Sequence, residues 1–315
     1  MMRIFVLAFV ILFHQTAESW TVRTLSRKKR SSRTRWYLTT RSNSASENVP
    51  SLTVLIPAYN EEFRITETLE SYARYLSNSS RWQDRTSILV VDDGSSDNTA
   101  RVVNALTTKI PTVCVSLPTN QGKGAALAYG IQHTLRQQHK EEPANPRIIL
   151  TADADGSARI DDLEAFFRVM EKELASNSTI DGNDYNQPLL VNGFRTYDSP
   201  SALRLFFRLG FRSVVRSVCG DLNVQDTQCG FKLMTLPAAQ LLYTNLHLPG
   251  WSHDVEVLYR ANQRGVRVRE VSVLWEDKDG SKLVSSPGGV LVVCGKMFGE
   301  VVKLRFNYAM GNWKV

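Results

Sequence analysis

Two carboxylates separated by one alanine, Asp153 and Asp155 in the stretch TADADGS, close an apolar run and precede a glycine. On extended backbone successive side chains alternate sides, so both aspartates are predicted to face the same way. Like charges at that spacing repel unless a cation lies between them. Hard carboxylate oxygens at a strand end suit a divalent ion, Mg²⁺ or Mn²⁺, which bridges to phosphate oxygens and assists a departing diphosphate as a Lewis acid. Asp153 and Asp155 are therefore the candidate metal ligands.

Comparable chemistry follows three other apolar runs: PAYNEE at residues 57–62, DDGSSD at 92–97 and NQGKG at 120–124. Taken singly, each has a structural explanation. Asp92 and Asp93 suit a turn, Asp97 a helix cap, and the glycines beside Lys123 a plain loop. Four such clusters at one edge of one sheet define a site more readily than four unrelated turns. Neither GxGxxG after the first strand nor GxxxxGK[ST] occurs, so the common dinucleotide and P-loop phosphate cradles are missing.

The elements that position these clusters alternate in type. Residues 52–57, 88–91, 112–117 and 148–152 read as buried strands, and 61–76, 97–108 and 122–138 carry helical spacing. That order predicts an α/β fold with a mostly parallel central sheet, helices on both faces, and ligands beyond the carboxyl ends of the strands.

Charge and composition narrow the partner. The 315 residues carry a net charge of +7, but residues 1–50 hold nine Lys and Arg against Glu18 and Glu47, which leaves 29 of each sign beyond them. The remainder is neutral, and nothing in it calls for nucleic acid. Residues 4–13, IFVLAFVILF, form an apolar run behind Arg3 that is short for crossing roughly 30 Å of hydrocarbon. We read residues 1–20 as a signal-anchor or signal-peptide-like segment and 21–50 as a basic Ser/Arg-rich linker, with a transit segment as the alternative. Arg23, Arg27, Lys28, Lys29, Arg30, Arg33 and Arg35 all lie after the run against Arg3 before it, and the positive-inside bias then keeps the following domain cytosolic. Cys114, Cys219, Cys229 and Cys294 are widely spaced without a CxxC pair, which favours reduced thiols over a zinc site or disulfide framework. Sequons begin at Asn78 and Asn177.

The motifs IPAYNEE, VVDDGSSDNTA, NQGKGAAL and TADADGS, in this order, resemble those of the family 2 glycosyltransferases. VNGFRTY, VQDTQCGFKLM, GWSHDVEVLYRA and DGSKL resemble the polyprenyl-phosphate branch of that family, and the resemblance runs from Leu52 to the C-terminus. It implies a GT-A nucleotide-sugar-binding fold over residues 51–285. It also implies hexosyl transfer from UDP-glucose to dolichyl phosphate at the endoplasmic reticulum membrane, in support of protein N-glycosylation. GDP-mannose as donor, a hydroxyl acceptor, a non-catalytic nucleotide-sugar binder and another organelle are the alternatives. Matched onto this chain, Pro57, Tyr59, Glu61, Asp92 and Asp93 fall at nucleotide-binding positions, and Lys123 near the donor. Asp153 and Asp155 fall on the metal-binding DxD element, Arg195 at the acceptor phosphate, and Ser281 and Lys282 on a loop closing over the diphosphate. Asp254 and Glu256 fall where processive relatives place a catalytic base.

A base is needed only for some acceptors. A sugar hydroxyl must lose a proton as it attacks. A phosphate monoester, with a second pKa of about 6, is largely dianionic at neutral pH and attacks unaided. For such an acceptor Arg195, Lys282 and the metal held by Asp153 and Asp155 would offset charge at the reacting centre, and Asp254 would orient neighbours. Finally, residues 286–315 read as an amphipathic, membrane-associated helical segment, with Val293, Met297, Val301 and Leu304 on one face. Packing of that face against the domain is the competing expectation.

Overall fold

The computed structural model describes residues 49–138, 146–176, 184–196, 202–276 and 287–314, which fall within one compact unit, Ala45–Val315. The expectations for residues 1–48, the sequon at Asn177, and Ser281 and Lys282 lie outside the described residues.

Strand β1, Ser51–Ala58, is apolar on both sides because both sides are covered. Leu52, Val54 and Ile56 enter one core and Leu55 the other, as parallel strands between helical layers do. Then follow α1 (Ile65–Asn78), β2 (Thr86–Asp92), α2 (Thr99–Ala105), β3 (Thr112–Ser116), α3 (Lys123–Gln138) and β4 (Arg147–Thr151). These are the elements the alternation predicted, with ends shifted by a few residues. The second half adds α4 (Leu163–Ala175), β5 (Leu189–Thr196), α5 (Ala202–Cys219), β6 (Lys232–Thr235), α6 (Leu236–Tyr243), α7 (His253–Gln263), β7 (Arg267–Leu274) and α8 (Pro287–Ala309).

The seven strands stand in the order β3-β2-β1-β4-β6-β5-β7. Among them β6 alone runs opposite to its neighbours, pairing antiparallel with β4 and β5, while the other pairings are parallel. The carboxyl ends of six strands therefore share one edge with the start of β6. Helices α1, α2 and α4 cover one face through Leu69, Val103 and Phe166. Helices α3, α6 and α7 cover the other through Ile131, Leu242 and Val255.

Helix α8 packs on this second face, with Val301 and Leu304 fully buried beside α7. Half of the apolar face read from the sequence is thus domain core. Met297 is half-buried, and the side chain of Val293 lies outside the described residues. No helix of the described residues is long and apolar enough to cross a membrane.

Candidate active site

The aspartate pair sits just past β4, on a turn that α1 holds in place. Ala152 donates its N–H to Leu55 O (3.1 Å), the Thr68 hydroxyl donates to Ala154 O (2.9 Å), and the Tyr72 hydroxyl donates to Ala158 O (2.9 Å). The strand alternation persists through this turn. Ala152 and Ala154 are buried, at 1% and 5% exposure, whereas the side chains of Asp153 and Asp155 are 21% and 26% exposed. The two carboxylates are thus presented together on the accessible side.

Each has a cation nearby. Lys123, at the first turn of α3, places Nζ 2.5 Å from Asp153 Oδ1. Arg64 Nη1 lies 3.9 Å from Asp155 Oδ2, while its Nε and Nη2 bind both oxygens of Glu61 at 2.7 Å. Burial disfavours the Lys123 ammonium, but Asp153, Asp254 and Asp155 outweigh it and raise its pKa. Asp155 Oδ1 also accepts the Ser157 N–H at 3.0 Å. Among the described residues no third His, Cys, Asp or Glu joins the two aspartates as a metal cluster. Two accessible carboxylates leave most of a coordination shell to phosphate oxygens and water, and this donor set fits Mg²⁺ or Mn²⁺.

Two glycines make the approach possible. A Cβ on Gly230 would stand 2.5 Å from Asp153 Oδ1, so glycine lets the segment entering β6 pass with the carboxylate where it stands. Gly122 adopts φ +103°, and a Cβ there would meet Pro249 O at 2.5 Å. The loop before α7 therefore closes on the start of α3, where Ala125 N–H donates to Pro249 O at 3.1 Å. That loop also brings the half-exposed Trp251 ring to 5.5 Å from Lys123 Nζ.

Deeper in the same edge lies a buried ionic group. Lys232 Nζ is 2.5 Å from Asp254 Oδ1 and also donates to Cys229 O. His253 Nε2 is 3.4 Å from the same Asp254 oxygen, and its Nδ1 pairs with Gly250 O at 2.8 Å. Burial works to raise the Asp254 carboxyl, but His253, Lys232 and Lys123 outweigh it and hold it at about 2. Burial also lowers the pKa of His253, against the pull of Asp254.

Arg195 closes β5 at this edge. Its Nε and Nη2 grip Asp226 at 2.7 and 3.0 Å, its backbone N–H adds a third bond at 3.2 Å, and its guanidinium lies 5.4 Å from the Trp275 ring centroid. Burial raises the Asp226 carboxyl, yet Arg195 overrides it and keeps it below the ordinary carboxylate range. The fork is thereby fixed in one orientation.

The residues matched to nucleotide binding divide by environment. Tyr59 is 39% exposed. Pro57 is buried within β1 opposite Val91. Asp92 and Asp93 are buried at 4% and 3% exposure and shape loops: Asp92 Oδ1 accepts the Ser95 N–H, and Asp93 accepts the N–H groups of Gln121 and Gly122 at 2.8 Å each. Burial raises the Asp93 carboxyl against those two bonds. The loops after β1 and β2 are cross-tied, with Glu61 N–H donating to Thr99 Oγ1 (2.8 Å) and Asn60 N–H to Ser95 Oγ (2.9 Å). Glu61 and Glu62 serve this latch, the latter donating its N–H to Asp97 Oδ2 at 3.2 Å, and α1 begins at Ile65, later than its periodicity predicts.

Asp254 and Glu256 part company. Glu256 points away from the aspartate pair and accepts the N–H groups of His247 (3.0 Å) and Leu248 (2.6 Å), together with the Tyr308 hydroxyl (2.9 Å). Of the two matched carboxylates, Asp254 alone faces the Lys123 side. Sequence reasoning missed Lys232, Asp226, His253, Trp251 and Arg64. For Lys232 a signal existed, since a lysine inside the apolar stretch GFKLMT must be buried with a partner.

A model described as Glycosyl transferase family 2 matches residues 53–216. With a sheet edge carrying two accessible aspartates against a lysine, the chain belongs to this family, and it is a glycosyltransferase. Its curated relatives include the dolichyl-phosphate beta-glucosyltransferases of Dictyostelium discoideum and Homo sapiens. The first is 33% identical over 276 residues, 84% of this chain and 76% of that one. The human protein is 32% identical over 279 residues, 84% of this chain and 78% of that one. Among solved structures, Mycobacterium tuberculosis glucosyl-3-phosphoglycerate synthase in complex with Mn²⁺, uridine diphosphate and phosphoglyceric acid has a TM-score of 0.50 at 18% identity. The match covers 81% of this chain and 77% of that one, and it shows a shared fold.

Proposed function

We propose that the chain transfers glucose from UDP-glucose to dolichyl phosphate, giving dolichyl β-D-glucosyl phosphate for protein N-glycosylation. The observation that carries this reading is the single edge on which Asp153 and Asp155 meet Lys123, with Arg195 on the same edge, in a chain about one third identical to dolichyl-phosphate beta-glucosyltransferases. Tyr59, Glu61 and the loops shaped by Asp92 and Asp93 would take the nucleoside. Lys123, Ser281 and Lys282 would take the diphosphate. Asp153 and Asp155 would hold the divalent ion, which stabilises negative charge on the departing diphosphate.

Arg195, aimed by Asp226, would receive the acceptor phosphate. One phosphate oxygen forms a bond to the anomeric carbon as the bond to the UDP oxygen breaks, and the electron pair leaves with UDP. Configuration inverts in this single in-line step. A dianionic phosphate has no proton to surrender, so alignment and charge neutralisation are the protein's work. Asp254, held ionised, orients Lys232 and its surroundings. From the likeness to dolichyl-phosphate beta-glucosyltransferases and the basic residues after the N-terminal apolar run, we assign the reaction to the endoplasmic reticulum membrane with the domain facing the cytosol.

The test is label transfer from UDP-glucose and, separately, GDP-mannose to dolichyl phosphate in membranes containing the full chain, with and without EDTA. Glucose transfer abolished by chelation is the expected result. Mannose transfer would overturn the donor, and absence of transfer from either would overturn the acceptor.

A further inference from the structure

Helix α8 has a second apolar face that the domain does not cover. Val302, Phe306 and Met310 follow one another at intervals of four, the last just past the helix end, and are 42%, 59% and 64% exposed. Side chains four apart on a helix lie along one side, so they form a stripe. Lys296 and Lys303 flank it on one side and Arg305 on the other, all exposed, and Lys303 lies over the Trp313 ring at 5.9 Å. The one acidic residue of α8, Glu300, turns inward, where its Oε1 would meet a Cβ on Gly250 at 3.4 Å.

We propose that this outer face of α8 is the surface that docks on an anionic membrane. Apolar residues flanked by lysine and arginine, with acidic groups turned away, match the boundary between lipid headgroups and acyl chains. Continuity with the active site favours a bilayer over a second copy of the chain. Glu300 lies beside Gly250, and the next residue is the half-exposed Trp251 that stacks near Lys123. Tryptophan favours the interfacial layer. A bilayer on α8 would thus lie beside the edge that receives a lipid phosphate, an argument that rests on the proposed function.

Phe306→Trp in the full chain gives a local probe that the N-terminal apolar run does not affect. With phosphatidylcholine–phosphatidylserine vesicles bearing brominated acyl chains, the added fluorescence should be quenched. A tryptophan introduced by Val113→Trp, exposed on the far edge strand β3, should not be. Arg305→Gln should weaken vesicle partition about fivefold, and the effect should vanish on pure phosphatidylcholine. Phe306→Asp should raise KM for dolichyl phosphate in vesicles about tenfold, leaving KM for UDP-glucose and transfer to a short, water-soluble polyprenyl phosphate unchanged. Absence of quenching at position 306, or a solution dimer that shields it, would overturn the docking face. Quenching without transfer to any phosphate acceptor would keep the face and overturn the proposed reaction.

Discussion

Lys232 Nζ lies 2.5 Å from Asp254 Oδ1, with the two side chains only 1% and 5% exposed. Removing one member of such a pair leaves a buried charge without compensation. Lys232→Met should destabilise the fold by about 3–5 kcal/mol. Adding Asp254→Leu should restore much of that loss, because no unpaired charge then remains. Urea denaturation of the two variants checks this, and equal losses would sink the argument.

Asp254 also sets an expectation for pH. Its folded pKa, about 2, lies below the ordinary 3.8, so its contribution to stability is fully present above pH 4 and is lost as pH falls towards 2. A group that binds protons so weakly is a poor general base at neutral pH. Asp254→Asn should therefore keep turnover within about tenfold of the parent and leave the acidic limb of the rate profile near pH 6, where the acceptor phosphate protonates. A loss of several orders of magnitude that grows as pH falls would restore Asp254 as the base.

Gly230→Ala probes the aspartate pair without removing it. The added methyl would stand 2.5 Å from Asp153 Oδ1, and the carboxylate must move aside. Half-activation should then require about tenfold more divalent metal, the size of effect seen when ligand orientation is disturbed. The melting temperature should fall little, since the displaced atom ends a side chain. Unchanged metal dependence would count against Asp153 as a ligand.

Glu256 joins the loop before α7 to the C-terminal helix. Glu256→Ala leaves two backbone N–H groups and the Tyr308 hydroxyl without their acceptor, and should cost about 3 kcal/mol or more. Tyr308→Phe removes one bond and should cost about 1 kcal/mol. Denaturant midpoints measured at a constant m-value report both.

The fold was largely legible because its signals are local. Strands 52–57 and 148–152 appear as short apolar runs, helix 122–138 as a periodic one, and these together imply parallel layers. The four clusters at the strand ends were legible for the same reason, since topology sends every parallel strand's carboxyl end to one edge. Helices α4 to α7 and strands β5, β6 and β7 were not read from the sequence pattern, and among them β6 stands apart. It is four residues long, runs against its neighbours, and carries a lysine where strand pattern expects an apolar residue.

The sequence by itself determined the alternating architecture, the aspartate pair with its presentation on one side, and the family motifs. These depend on residue type and spacing along a single element. Only the tertiary structure decided which charges meet: Lys123 with Asp153, Lys232 with Asp254, and Arg195 with Asp226 across 31 residues of chain. It likewise turned Glu256 away from the site and divided α8 between a buried face and an exposed one. Such pairings join elements distant in sequence, and close packing under a shared core, which no local pattern encodes, selects among them.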